Sequence, residues 1–199
     1  RIKIIPNGID NYWLGNLCTT NAKSSNKFLF VGRFDRNKNI ISLIKSLEKC
    51  KHNVADIELN LIGGDGNLHN EVLNLIQGKH WINYHGKVYD KYKLIEIFRM
   101  NDFFAMPSIH ESFGLVYIEA LSQGLPILFT KGQGVDGLFD IDVGIGTDPM
   151  NEEKIADDLM WMINNRKILY ENIKQVDFSL FDWKRTAQIY KSIFEEILK

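Results

Sequence analysis

The sequence predicts an α/β domain: a doubly wound parallel sheet with helices on both faces. Three observations lead there. Short apolar runs alternate with segments of helical periodicity as far as Pro149. The runs are continuous, as in Phe28-Leu29-Phe30-Val31, which marks strands buried on both faces. The 199 residues suffice for one sizeable domain and are short for two.

Taken in order, Ile2 to Ile5 reads as a strand halted by the turn signal Pro6-Asn7-Gly8. Because the chain opens on Arg1 inside that run, the expectation is a piece of a longer protein. Residues 15 to 26 are polar and turn-rich and read as a loop. Phe28 to Val31 is a strand ending at Gly32, and Ile40, Leu43, Ile44 and Leu47 place a helix over Asn39 to Cys50. Ile57 to Ile62 is a strand broken by Gly63-Gly64-Asp65-Gly66, a glycine-rich stretch read as a plain tight turn. A helix over Leu68 to Ile76, a strand over Trp81 to His85 and a helix over Lys91 to Met100 follow. Phe103 to Met106 is a strand closed by Pro107, and a helix from about Gly114 ends at Gly124, a natural left-handed cap. Ile127 to Phe129 is the next strand. Beyond Pro149 helices span Ile155 to Ile163, Ile168 to Val176 and Trp183 to Leu198, the last with Trp183, Tyr190, Ile193, Phe194 and Ile197 on one face.

Twenty-four Lys and Arg against 25 Asp and Glu leave a net charge of −1. That balance offers no whole-molecule attraction to nucleic acid or an anionic membrane, so a bound anion must be met by a local cluster. Cys18 and Cys50 form no CxxC pair or metal-ligand pattern and read as free thiols in a reducing, cytoplasmic compartment. No apolar run approaches the roughly 20 residues that cross a bilayer, and no signal peptide is visible.

Ligands of parallel sheets sit at the carboxyl ends of the strands. There, Gly32-Arg33-Phe34-Asp35-Arg36-Asn37-Lys38 places three cations in one loop. Guanidinium and ammonium groups suit a diphosphate, although a solvated loop paired through Asp35 has the same composition. In residues 111–119, Glu111 precedes a helix and Glu119 lies within it, and Phe113, Gly114 and Leu115 bring the free N–H groups of a helix start between them. Two carboxylates eight positions apart suit hydroxyls at the two ends of a long ligand; a helix-dipole partner and a surface pair are the plainer alternative. Asp140-Ile141-Asp142 has the spacing of a metal-holding DxD motif, which arises easily by chance, and the five His form no ligand set. His110 beside Glu111 is the one histidine placed to touch a ligand.

Taken together, IPNGID, FVGRFDRNKN, LIGGDGN, YHGKV, the segment from Phe103 to Ile127 and the terminal FDWKRTAQIY resemble the C-terminal domain of family-4, "group 1" retaining glycosyltransferases of the GT-B architecture. The resemblance runs from Ile4 to about Tyr190 and implies a Rossmann-like donor-binding half spanning residues 1–199, with an N-terminal acceptor domain missing. It implies that Arg33 and Lys38 bind the donor diphosphate and stabilise it as it leaves, that Glu111 faces the transferred sugar, and that Glu119 holds the ribose hydroxyls. Phe113, Gly114 and Leu115 then meet the distal phosphate or sugar through their backbone, and Lys87 and Val88 the nucleobase edge. Catalytic roles fall on Glu111, Arg33 and Lys38. The implied donor is a nucleotide-diphosphate sugar, with no metal or other cofactor. The implied acceptor is a sugar or lipid-linked sugar in cell-surface polysaccharide synthesis, met through the missing half, which would also make any peripheral contact with the inner face of the membrane. The stretch GQGVDG (residues 132–137) departs from the GG-x-PE loop of many members, leaving Asp136 without a role. A non-catalytic sugar-nucleotide-binding module and a sugar-nucleotide epimerase are the alternatives; an NAD-binding domain lacks its glycine fingerprint.

Overall fold

The computed structural model describes residues 5–19 and 24–198. The strand expected at Ile2 to Ile5 falls mostly outside them. Six strands form one sheet in the order β3-β2-β1-β4-β5-β6. They are β1 (Asn26–Arg33), β2 (Ile57–Gly64), β3 (Ile82–Tyr84), β4 (Phe103–Ala105), β5 (Ile127–Thr130) and β6 (Gly144–Thr147). All five pairings are parallel, for example Phe28 with Leu59 on one side of β1 and with Phe103 on the other.

The chain winds outward from β1 through β2 to β3, then returns to the other side of β1 and runs through β4 to β6. Parallel crossovers are right-handed as a rule, so winding in opposite directions from β1 puts α2 (Ile40–Cys50) and α3 (His69–Ile76) on one face and α4 (Lys91–Met100) and α5 (Leu115–Ser122) on the other. This is the doubly wound, Rossmann-like sheet that the alternating runs predict. Strands β1 and β4 are buried because both faces are covered: Phe28, Leu29, Phe30, Phe103, Phe104 and Ala105 are inaccessible. Helix α2 shows the same logic at helical spacing, with Ile40, Leu43, Ile44 and Leu47 turned to the sheet.

Local chemistry fixes the helix ends. Asp90 caps α4 by accepting the N–H groups of Tyr92 and Lys93 at 2.8 and 3.2 Å. Helix α5 ends at Gly124, whose φ of +79° lets its N–H reach the Leu121 carbonyl while Leu125 reaches Ala120.

Three elements lie outside the sequence expectations: a strand, a short helix and the 3₁₀ turn over Phe178–Phe181. Strand β6 is Gly-Ile-Gly-Thr, with no apolar run to announce it; Gly144 is needed because a side chain there would strike the backbone of Ile127 in β5. A short helix α1 (Asn11–Leu14), capped by Asp10, carries the buried Trp13 against Phe98 of α4 with ring centroids 5.0 Å apart. The glycine-rich stretch is also more than a tight turn. Gly63 and Gly64 are the last residues of β2, at φ of +120° and +124°, and a methyl group on Gly63 would overlap the Gly32 carbonyl. The chain closes through α6 (Glu152–Asn164), α7 (Arg166–Ile173), a 3₁₀ turn (Phe178–Phe181) and α8 (Trp183–Ile197). On α8, Trp183, Tyr190, Phe194 and Ile197 are exposed among the described residues.

Candidate active site

The winding reverses between β1 and β4, so the loops that follow these two strands diverge and leave a crevice at their carboxyl ends. Both sequence-predicted clusters stand at that crevice.

Phe34 anchors the loop after β1. Its ring is fully buried, near His69 and Tyr84 at centroid distances of 5.9 and 5.5 Å, and its N–H reaches the Asp65 carbonyl at 3.0 Å. Its neighbour Arg33 is left 72% exposed, with Asp35 at 3.7 Å as its partner. The Asp35 carboxylate also accepts the Lys38 N–H at 3.0 Å, and Asn39 follows in a left-handed conformation, which turns the chain into α2. Lys38 is thereby aimed at the other loop: its Nζ lies 2.8 Å from Glu111 Oε2, with side-chain exposures of 25% and 11%. The fold thus pairs Lys38 and Glu111 directly across 73 positions of sequence.

The segment carrying Glu111 has no regular structure, yet its backbone is saturated from the Ile109 N–H to the Glu111 N–H. Asn37 accepts the Ile109 N–H with its carbonyl at 2.7 Å, and exchanges two side-chain hydrogen bonds of 2.9 Å with the His110 backbone. From the opposite side Gln133 accepts the Glu111 N–H at 2.7 Å and donates to the Ile109 carbonyl at 3.1 Å. His110 therefore contributes its backbone, while its residue surface is exposed.

Beyond Glu111 the chain enters α5 through Gly114, at φ +75°, where a side chain would collide with the Tyr117 ring. Tyr117 is fully buried, and its hydroxyl donates to the Met106 carbonyl at 2.5 Å. Burial, and secondarily the Glu111 charge, raise its pKa. Among the described residues the N–H groups of Phe113, Gly114 and Leu115 take no protein acceptor. Phe113 packs on the core, and Leu115 is exposed.

Glu119 lies on a different wall. It is half-buried on α5 beside Trp13 of α1, and burial pushes its carboxyl up to about 7 with a smaller contribution from Asp10. No cation pairs with it among the described residues. Lys87 is exposed and forms an ion pair with Asp65, joining the loop after β3 to the glycine stretch after β2, and Val88 beside it packs on the core. Asp136 accepts the Gly132 N–H and closes the turn that presents Gln133. Asp140 and Asp142 lie between β5 and β6, and no three His, Cys, Asp or Glu side chains converge as metal ligands among the described residues.

Asn37, Gln133 and Trp13 were not legible as site residues. The available signal was Gln133 itself, an isolated long amide between two glycines after a strand.

A doubly wound sheet whose switch-point crevice sets a cationic loop against a helix start defines the class: a GT-B-fold glycosyltransferase domain. Residues 19–177 match the family of glycosyl transferases group 1, and the chain belongs to that family. A probable sucrose-phosphate synthase 1 of Craterostigma plantagineum is 31% identical over 186 residues, covering 82% of this chain and 18% of that protein. An uncharacterized glycosyltransferase of Methanocaldococcus jannaschii is 26% identical over 220 residues, covering 98% of this chain and 55% of that one. The structure of Anabaena HepE in complex with UDP superimposes with a TM-score of 0.73 at 22% identity, over 98% of this chain and 57% of that chain. Sucrose-phosphate synthase from Thermosynechococcus elongatus gives a TM-score of 0.72 at 22% identity, over 97% and 50%. These two structural likenesses show the fold. The chain spans 17–18% of the length of the probable sucrose-phosphate synthases of Craterostigma plantagineum and Vicia faba that it matches, and 55% of the Methanocaldococcus protein. Among the described residues no helix is long and apolar enough to cross a membrane.

Proposed function

We propose that this chain is the donor-binding half of a retaining, family-4 glycosyltransferase. It grips a nucleotide-diphosphate sugar, and an N-terminal domain of the parent protein supplies the acceptor pocket. The observation that carries the reading is the Lys38–Glu111 pair, 2.8 Å apart at the β1/β4 switch point, beside a helix start with free N–H groups.

In the reaction, the bond between the anomeric carbon and the diphosphate oxygen breaks through an oxocarbenium-like transition state. Negative charge grows on the departing oxygen, so acceleration comes from groups already aimed at that charge. Lys38 and Arg33 are the cations. Arg33 is exposed and weakly engaged by Asp35, so little is lost when it turns to a phosphate. Lys38 exchanges part of its contact with Glu111 for the diphosphate. Glu111 orients the sugar and eases positive charge at its ring. The N–H groups of Phe113, Gly114 and Leu115 meet the distal phosphate or sugar, where the positive end of a helix favours an anion. Glu119 accepts from the ribose hydroxyls once ionised, and the backbone at Lys87 and Val88 meets the base edge. HepE has been solved with UDP and with UDP-glucose, which supports a nucleotide sugar as the ligand class here. The acceptor in this reading is a sugar or lipid-linked sugar used in cell-surface polysaccharide synthesis, in the cytoplasm or at the inner face of the membrane. The isolated chain binds donor and transfers little.

The test is a thermal-shift panel of UDP-, GDP- and ADP-sugars on the chain, since a ligand that binds only the native state raises its melting temperature. Calorimetry with the best ligand follows. A chain that no nucleotide sugar stabilises overturns the reading.

A further inference from the structure

We propose that Gln133 is a positioning residue for Glu111, and that the GQG turn is the device that fixes where the Glu111 carboxylate points. The inference rests on the reading that Glu111 faces the transferred sugar.

Five consecutive polar groups of an irregular backbone, from the Ile109 N–H to the Glu111 N–H, are all occupied. Asn37 fills three from the β1 side, at 2.7, 2.9 and 2.9 Å. Gln133 fills the other two from the β5 side, at 2.7 and 3.1 Å. One primary amide satisfies a donor and an acceptor two residues apart, which fixes its orientation and requires Gln at this reach. The turn is itself stapled. The Asp136 carboxylate takes the Gly132 N–H, and the Asp136 N–H reaches the Gln133 carbonyl at 3.1 Å. Gly134 allows the close approach: at φ +58° its missing side chain would stand 3.1 Å from both Glu111 Cγ and the Phe113 carbonyl.

Without ligand the Glu111 carboxylate has a second restraint in Lys38, with Ser108 Oγ at 3.4 Å. A bound diphosphate competes for Lys38. From then on the backbone clamp holds Glu111 in place, and among the described residues the only tie to the Glu111 N–H is Gln133. Its contribution therefore appears when the sugar is present and not with the bare nucleotide.

The experiment compares, by calorimetry, a nucleoside diphosphate with its sugar diphosphate. The pair is whichever of UDP/UDP-glucose, GDP/GDP-mannose and ADP/ADP-glucose stabilises the chain most. Gln133→Ala is expected to leave nucleoside diphosphate affinity within about twofold while weakening the sugar diphosphate about fivefold, the worth of one net hydrogen bond. Gln133→Met keeps length and volume without either hydrogen bond and is expected to lose as much. It also gives the reading if the alanine variant loses its cooperative melt. Equal weakening of both ligands, or rescue by Met, assigns Gln133 a packing role and overturns the inference. Glu111→Ala separates the two layers. If it leaves the ratio of the two affinities unchanged, the assignment of Glu111 to the sugar fails; if it shifts the ratio and Gln133→Ala does not, the assignment of Gln133 fails. Failure of every pair to bind removes both.

Discussion

Glu119→Gln separates stability from ligand recognition in a single variant. Burial on α5 raises this carboxyl from 4.5 to about 7, so between those values the folded chain holds a proton that the unfolded chain has released. Stability therefore falls as pH rises through that window, and the penalty is complete above about 7. At about 1.4 kcal/mol per pH unit the ceiling is near 3 kcal/mol, which the carboxylate's remaining contact with water reduces to about 1–2 kcal/mol. Glutamine has the same shape and carries no charge to bury. For a domain of this size each kcal/mol moves the melting midpoint by roughly 2–4 °C, so the ligand-free variant should melt about 2–8 °C above the parent at pH 8. At pH 4 the two should nearly coincide, because the parent carboxyl is then largely protonated in both the folded and the unfolded chain. With saturating nucleotide sugar at pH 8 the order should narrow or reverse, since the amide cannot replace a carboxylate that accepts from two ribose hydroxyls. Differential scanning fluorimetry at both pH values, with and without ligand, reads all three outcomes. An unchanged or lower ligand-free midpoint at pH 8, or the same difference at pH 4, refutes the assignment of a buried charge to Glu119.

Further expectations follow from the same geometry. Lys38→Ala should weaken nucleoside diphosphate binding about 10–100-fold, the range of a shielded charge-assisted contact, and the more exposed Arg33→Ala about tenfold or less. Calorimetry showing unchanged affinity in both variants overturns the phosphate assignment. Affinity for a sugar diphosphate, whose own phosphates do not titrate near neutrality, should rise between pH 6 and 8 as Glu119 ionises. The slope approaches tenfold per unit below 7 and vanishes in Glu119→Gln. Gly63→Ala combines a backbone at φ +120° with a clash on Gly32, and should destabilise by about 3 kcal/mol or more, read as a lower urea midpoint at constant slope.

Most of the fold was legible because buried parallel strands announce themselves as continuous apolar runs, and Phe28 to Val31 and Phe103 to Met106 lie where such runs place them. Strand β6 was not, since Gly144 and Gly146 give no hydrophobic signal: its place is set by close approach to β5, a tertiary requirement. The candidate site divides in the same way. Arg33, Lys38 and Glu111 carry charges that a strand-end loop makes conspicuous. The groups that hold them, Asn37 and Gln133, are neutral amides whose partners lie 73 and 22–24 positions away, and only the sheet order brings them together. Glu119 reads as a ligand group from its apolar neighbours, but its contact with Trp13 depends on a four-residue helix too short to show periodicity.

Strands β1 and β4 lie side by side although two complete strand–helix units separate them in the chain. During synthesis or refolding the two halves of the crevice cannot meet until β2 and β3 have left one edge of β1 and the chain has come back to the other. Nucleotide affinity should accordingly be acquired in the slowest kinetic phase, after most helical signal has returned, because no early fragment of this chain holds a partial version of it.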